Sequence, residues 1–355
     1  MDWGRLERVY VRLPNWVGDT VLATPMLGAL RRLAANAEIL AHGKGAPLGI
    51  LAGEGLYDRA EPVRRRGGPF WPWLEGRRLH RACGPFDLAL LLPNSLSSAL
   101  CAWASGATER VGYALNGRAA LLTRPLRVRR EGLLRPVPMV DYYLGLLEAL
   151  GAEVANVPRL PRLRVSAEAA AWAEAFFLRH GLAGNRPVWA LNVGGSWETK
   201  RWLPRYAGQL VRRLRREGLQ PLLLRGPDEQ ELAAAVCEAA GEPVPGADEV
   251  VGLTELVAVL ARCALLVTTD SGPRHFGVAA GIPVLVLIGP THPGYTAVDH
   301  PWLRLLCERT DCWPCHLKVC PLDFRCMRAL TPERVLAAGN SLCRAAARPV
   351  GSAAP

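Results

Sequence analysis

The chain has almost no lysine. Of its 43 basic residues only Lys44, Lys200 and Lys318 are lysines, so the net charge of +11 is carried by arginine. The bias is compositional, but it makes each lysine worth inspecting. The positive balance points to an acidic partner: the phosphates of a sugar nucleotide, anionic lipid, or nucleic acid. Long apolar runs are also missing. No stretch approaches the roughly 18 apolar residues that a membrane span needs. Met1 to Arg8 is charged, and the apolar run after it is broken by Pro14, Asn15 and Asp19. No secretory leader is therefore expected, and a soluble, cytoplasmic protein is. The first strand–turn–helix unit lacks a G-x-G-x-x-G fingerprint, which argues against a dinucleotide site there. Disorder is excluded by a composition that is half apolar. A length of 355 residues exceeds one ordinary core and predicts two domains.

What is present is organised around VTTDSGPRHFGVAAGIPVLVLIGPTHP, from Val267 to Pro293. An apolar strand (Leu265 to Val267) leads to a polar elbow, a helical run (Arg274 to Ala280), and a second strand (Val284 to Ile288) closed by Gly289 and Pro290. Such units build parallel sheets, and ligands bind beyond the carboxyl ends of their strands. Asp270, Ser271 and Gly272 stand before a helix start, where free amides favour an anion and glycine permits close approach. His275 lies one turn further. The plainer reading is that Asp270 or Ser271 caps the helix.

In the amino-terminal half, a strand (Arg8 to Leu13) runs into Pro14-Asn15-Trp16-Val17-Gly18-Asp19 and a helical pattern from Thr20 to Leu33. Asp19 either caps that helix or presents a carboxylate to a reacting hydroxyl, and the roles are compatible. Strand signals at Glu38 to Ala41 and Asp87 to Leu92 follow; the second ends in Pro93-Asn94-Ser95 before a helix from Leu96 to Ala104. Asn94 and Ser95, with Ser98, are candidate acceptor contacts or ordinary caps. Between the strands, Arg64, Arg65, Arg66, Arg77, Arg78 and Arg81 surround Phe70, Trp71 and Trp73. Arginine interleaved with tryptophan suits a phosphate-rich membrane surface or stacked bases; a solvated helix face with tryptophans packed inward is the plainer alternative. A second basic stretch, Arg124 to Arg135, continues the pattern. The linker is placed at Arg159 to Arg164.

In the carboxyl-terminal half, the strand Val188 to Val193 ends in Gly194-Gly195-Ser196-Trp197-Glu198-Thr199-Lys200-Arg201-Trp202. Gly195 and Ser196 can offer backbone amides to phosphate, and Lys200 a compact cation for a leaving diphosphate. The next strand, Pro221 to Arg225, ends in Gly226-Pro227-Asp228-Glu229. Glu229, or Asp228, is a candidate for vicinal ribose hydroxyls, with helix capping as the alternative. Six of the ten cysteines lie between Cys307 and Cys343. The spacing of Cys312, Cys315, Cys320 and Cys326, C-x2-C-x4-C-x5-C, leaves a structural metal, packed thiols and disulfides open. Cys83, Cys101, Cys237 and Cys263 read as small buried hydrophobes.

Several of these stretches resemble glycosyltransferase family 9, the lipopolysaccharide heptosyltransferases, and most closely its heptosyltransferase II branch. They are W-x-G-D at Trp16 to Asp19, R-x-G-Y at Arg110 to Tyr113, the K-R-W loop at Lys200, the acidic turn at Glu229, the D-S-G-x-x-H elbow at Asp270 to His275, and T-P-x-x-V at Thr331 to Val335. Two departures are Leu203 before Pro204, and Gly195 where members often carry a hydroxyl. The resemblance implies a GT-B architecture: two Rossmann-like domains facing across a cleft, residues 1–163 for the acceptor and 164–355 for the nucleotide-sugar donor, with a closing carboxyl-terminal helix that can return to the first. It implies inverting transfer of heptose from ADP-heptose to inner-core heptose on heptosyl-Kdo2-lipid A, without metal or other cofactor. Asp19 would be the base and Lys200 the cation at the diphosphate. Gly195, Ser196, Glu229, Val251, Asp270, Ser271, Gly272 and His275 would bind the donor, Val251 beside the base. Asn94 and Ser95 would meet the acceptor, and Arg64, Arg65, Arg66, Trp71 and Trp73 the cytoplasmic face of the inner membrane; nucleic acid is not expected. The rivals are a family 9 enzyme with another acceptor (the first inner-core Kdo or a protein serine), a nucleotide-sugar-metabolising Rossmann enzyme, and a non-catalytic basic binding module.

Overall fold

The structure, a computed structural model, describes residues 1–64, 67–128 and 137–347. The chain divides into two compact units, Met1–Pro161 with Gly294–Val298, and Arg162–Pro293 with Asp299–Pro355.

In the first unit, strands β1 (Arg8–Arg12), β2 (Glu38–Gly43), β3 (Arg59–Pro62), β4 (Leu88–Leu91), β5 (Glu109–Tyr113) and β6 (Arg124–Leu126) form one parallel sheet in the order β3-β2-β1-β4-β5-β6. Its helices are α1 (Val17–Leu22), α2 (Thr24–Leu33), α3 (Gly45–Ile50), α4 (Trp71–Cys83), α5 (Leu96–Ala104) and α6 (Met139–Glu148). The expected single helix from Thr20 to Leu33 is two. Pro25 cannot donate to a continuing ladder, so it sits in the first turn of a new helix, where no such bond is needed. The chain order reverses between β1 and β4, which makes their carboxyl ends the switch point of this sheet.

The second unit has β7 (Val188–Asn192), β8 (Gln220–Leu223), β9 (Leu265–Thr269), β10 (Val284–Ile288) and β11 (Leu303–Cys307), all parallel in the order β11-β10-β9-β7-β8. Its helices are α7 (Ala167–Arg179), α8 (Pro204–Arg216), α9 (Gln230–Ala240), α10 (Leu253–Ala261), α11 (Pro273–Ala279), α12 (Arg325–Arg328) and α13 (Pro332–Ala346). Strands β7 to β10 are buried along their whole length, as apolar strands covered on both faces must be. Helix α8 buries Ala207, Leu210, Val211 and Leu214, a stripe at helical spacing, and turns its arginines outward. Helix α13 closes this same unit, against α8 and strands β9 to β11. Its Gly339 meets the Trp189 ring so closely that an added Cβ would lie 2.4 Å from the indole. Here the order reverses between β7 and β9. Among the described residues no helix is long and apolar enough to cross a membrane.

Candidate active site

The carboxyl ends of β7 and β9 bring the carboxyl-terminal candidates together. Asn192, the last residue of β7, donates to the Leu224 carbonyl at 3.1 Å, and its Oδ1 accepts from Thr268 (3.3 Å) and Ser271 (3.1 Å). Thr269 Oγ1 donates to the Gly194 carbonyl at 2.5 Å. Side chains thus lock the two strand ends to each other. Gly195 has φ +150°, a region that favours glycine, and its amide donates to Glu229 Oε1 at 2.8 Å. Glu229 Oε2 accepts from the Gly226 amide, also at 2.8 Å. One carboxylate therefore ties the loop after β7 to the turn after β8, and a Cβ at Gly194 would lie 2.0 Å from it. Glu229 occupies the N-cap position of α9 but its side chain makes no capping bond, so the capping alternative fails. Asp228 is exposed.

Lys200 ends the short helical turn Glu198–Lys200 and is held rather than free in solvent. Its Nζ donates to the Asp270 carbonyl at 3.0 Å, lies 3.6 Å from Asp270 Oδ2, and sits 4.9 Å above the Trp197 ring. Asp270 is buried and accepts from Arg274 Nη1 (2.7 Å) and Thr291 Oγ1 (2.6 Å). Burial opposes its charge, yet Arg274, Lys200 and Thr291 together hold the carboxyl well below the usual range. Neither Asp270 nor Ser271 caps α11. Gly272 is the cap residue, in helical conformation, and Ser271 Oγ bonds Asn192 instead. His275 is buried, with no partner at Nδ1. Burial first, then Arg274 and Lys200, push it down to about 3, so it is neutral near pH 7. Ser196 is exposed on its loop, and Val251 is half-buried just before α10.

At the switch point of the first sheet, Asp19 lies half-buried in the first turn of α1, inside the helix rather than at its cap; the cap residue is Trp16. Burial first, and then the Asp19 charge, raise the Tyr143 hydroxyl well above its ordinary value. Arg12, unnoticed in the sequence, supports the turn by donating to Leu13 O (2.7 Å), His42 O (3.1 Å) and Asn15 Oδ1 (3.1 Å). After β4, Ser95 is an ordinary cap, its hydroxyl accepting from the Ser98 amide at 3.2 Å. Asn94 donates to the Tyr142 hydroxyl (2.8 Å) and accepts from Arg118 Nη2 (3.0 Å). Arg118 was also missed. It is buried, bonds Tyr113 O, Pro93 O and Ser98 Oγ besides, and is lowered to about 10 by that burial.

The arginine- and tryptophan-rich segment is partly structural. Glu75, buried, accepts from Arg78 and from the Arg64 amide and pairs with His42. Its burial favours the neutral acid, but His42 and Arg78 win, and the carboxyl is lowered to about 2. Trp71 is half-buried, whereas Trp73, Phe70 and Leu74 are exposed. Leu96 and Trp103 of α5 are exposed as well. Arg65 and Arg66 lie outside the described residues, as does the stretch from 129 to 135.

All ten cysteines are free thiols, and among the described residues no three His, Cys, Asp or Glu side chains are arranged to hold a metal ion. Cys101 and Cys263 are buried, whereas Cys83 and Cys237 are only half-buried because they lie on helix faces turned partly to solvent. Burial, and the nearness of Cys312, Cys315 and Cys320, raise Cys326 to about 11.

Lipooligosaccharide heptosyltransferase 2 of Haemophilus influenzae is 27% identical over 292 residues, covering 80% of this chain and 83% of its own. A family 9 glycosyltransferase structure from Veillonella parvula superposes with a TM-score of 0.81 at 23% identity (97% and 99% of the two chains). The structure of Escherichia coli ADP-heptose lipopolysaccharide heptosyltransferase II does so with a TM-score of 0.78, also at 23% (95% and 98%). At these identities the structures speak for the fold, two parallel-sheet α/β domains of the GT-B class. The sequence model of glycosyltransferase family 9 (heptosyltransferase) matches residues 76–324, more than two thirds of the length. With that match, the chain belongs to glycosyltransferase family 9, the heptosyltransferases, and is an enzyme of that class.

Proposed function

We propose that this enzyme moves heptose from ADP-heptose to the inner-core heptose of lipopolysaccharide, on heptosyl-Kdo2-lipid A, with inversion. The observation that carries the reading is Lys200, fixed against Asp270 at the ends of β7 and β9 in a chain with curated relatives named heptosyltransferase 2. In this reading residues 1–163 serve the acceptor and 164–355 the donor.

The acceptor hydroxyl gives its proton to the Asp19 carboxylate as its oxygen attacks the anomeric carbon. The bond from that carbon to the diphosphate oxygen breaks with its electron pair, and ADP leaves carrying more charge than it had in the donor. Lys200 meets that developing charge and lowers the barrier, because a fixed cation stabilises the transition state more than the ground state. Asp270, itself held by Thr291 and Arg274, holds Lys200 in place. Glu229, with lone pairs to spare beyond its two amide bonds, receives the ribose hydroxyls. Gly195, Ser196, Ser271 and Gly272 line the diphosphate, Val251 the base, and neutral His275 packs beneath the elbow. Asn94, held by Arg118 and Tyr142, contacts the acceptor.

The lipid acceptor implies a cytoplasmic enzyme that touches the inner membrane peripherally. Support comes from Arg64 and the exposed Phe70, Trp73 and Leu74, with Leu96 and Trp103 on α5: aromatic and aliphatic side chains beside arginine suit a phosphate-bearing lipid surface. The test is product identity. Purified enzyme, ADP-heptose and either Kdo2-lipid A or heptosyl-Kdo2-lipid A are incubated and the lipids weighed by mass spectrometry. Gain of one heptose on heptosyl-Kdo2-lipid A alone is expected. Gain only on Kdo2-lipid A would replace the acceptor, and gain on neither would overturn the reading.

A further inference from the structure

The loop from Glu308 to Phe324 is fastened to the same strand ends as Lys200. The Thr199 hydroxyl donates to the Leu317 carbonyl at 2.6 Å, and the His316 amide donates to the Pro290 carbonyl at 3.0 Å. The first tether belongs to the loop after β7, the second to the turn after β10. Trp313 packs on His292 with ring centroids 5.6 Å apart. Lys318 follows directly on the two tethered residues. Its Nζ lies 5.9 Å from the Trp197 ring, the ring that Lys200 covers at 4.9 Å.

Two of the three lysines in this arginine-dominated chain therefore stand at one indole, 118 positions apart in the sequence. Both ammoniums thus share one ring, and a diphosphate offers two anionic groups for them to meet. Lys200 already faces Asp270, but that carboxylate is shared with Arg274. No carboxylate among the described residues pairs with Lys318. His316 lies in the same field: its ring is lowered by burial, then by His292 and Lys200, with Asp270 opposing. Like charges gathered at one spot are costly unless an anion joins them.

We propose that Lys318 is a second cation for the donor diphosphate, and that the cysteine-rich loop is the wall of the donor site that carries it. The proposal rests on Lys200 marking the diphosphate position. The half-buried thiols of Cys312, Cys315, Cys320 and Cys326 supply the packing that shapes the loop. Lysine suits the role because its compact ammonium can follow a phosphate whose charge grows as it leaves.

The test is calorimetric binding of ADP and of adenosine to the full chain and to Lys318→Met, Lys318→Arg and Lys200→Met. Lys318→Met is expected to weaken ADP about tenfold, as loss of one charge-assisted phosphate contact does, to leave adenosine within twofold, and to keep the parental melting temperature. Lys318→Arg is expected to recover most of the ADP affinity. Equal ADP affinity in Lys318→Met and parent, with Lys200→Met weakened, would overturn this proposal alone. A parallel loss of adenosine and ADP in Lys318→Met would also overturn it, because the residue would then be structural. Undiminished ADP binding in Lys200→Met would remove the diphosphate assignment and this proposal with it.

Discussion

Glu229→Gln isolates the bridge between two loops of the candidate donor site. The carboxylate accepts one amide from each loop, Gly195 and Gly226, both at 2.8 Å. A glutamine keeps one acceptor and turns an NH2 toward the other amide. One hydrogen bond to a charged acceptor is lost, about 1.5–3 kcal/mol, and one amide is left without a partner, another 1–3 kcal/mol if water is kept out. Glu229 is half-buried, so water takes up part of the second cost, and the lower end, about 2 kcal/mol, is the working figure. Borne by the loop that presents Gly195 and Lys200, that corresponds to roughly 30-fold weaker ADP binding. The assay is titration calorimetry with ADP, with circular dichroism to show that the unit remains folded. Unchanged ADP affinity in a folded variant would refute the claim that this carboxylate organises the site. A loss confined to melting temperature would reduce Glu229 to a purely structural brace.

Three further outcomes are expected. Gly339→Ala places a methyl 2.4 Å from the Trp189 ring; overpacking costs of about 1–3 kcal/mol exceed the helix-propensity gain of about 1 kcal/mol, so denaturant titration should show net destabilisation, and a more stable variant would contradict the packing. Ser95→Ala removes the cap of α5 and should lower stability by about 1 kcal/mol in the same titration while leaving ADP affinity unchanged. The folded pKa of His275 is pushed down to about 3, so the unfolded chain takes up the proton first; its contribution is intact above the unfolded value and is lost at up to about 1.4 kcal/mol per pH unit from about 6.5 down toward 3. The stability difference between parent and His275→Gln should therefore shrink between pH 7 and 5, and a constant difference would contradict the buried, neutral imidazole.

The central strands were legible because they are apolar and end in glycine, proline or polar turns; Val284–Ile288 is one such run. The strands not read, β3 (R-A-E-P), β6 (R-P-L) and β11 (L-R-L-L-C), are all sheet edges, where polar residues and proline are tolerated because one side is unpaired. The break between α1 and α2 is a backbone effect of Pro25 inside a periodic apolar pattern. Site residues next to a strand end, such as Asp19, Lys200 and Asp270, show in the sequence. Their partners do not, because they come from distant strand ends: Glu229 reaches Gly195 across 34 positions and Lys200 reaches Asp270 across 70. Arg118 and Arg12 were hidden in an arginine-rich background, where nothing but burial distinguishes them.

The most direct test of the transferase reading is ADP release from ADP-heptose, with and without heptosyl-Kdo2-lipid A, for the parent and for Asp19→Asn. Release that depends on the acceptor, and that falls by about a hundredfold or more in Asp19→Asn with ADP affinity unchanged, is the predicted result, the scale of losing a general base. Release that survives in Asp19→Asn would take the base role from this residue, and absence of release with every core acceptor would contradict heptosyl transfer by this chain.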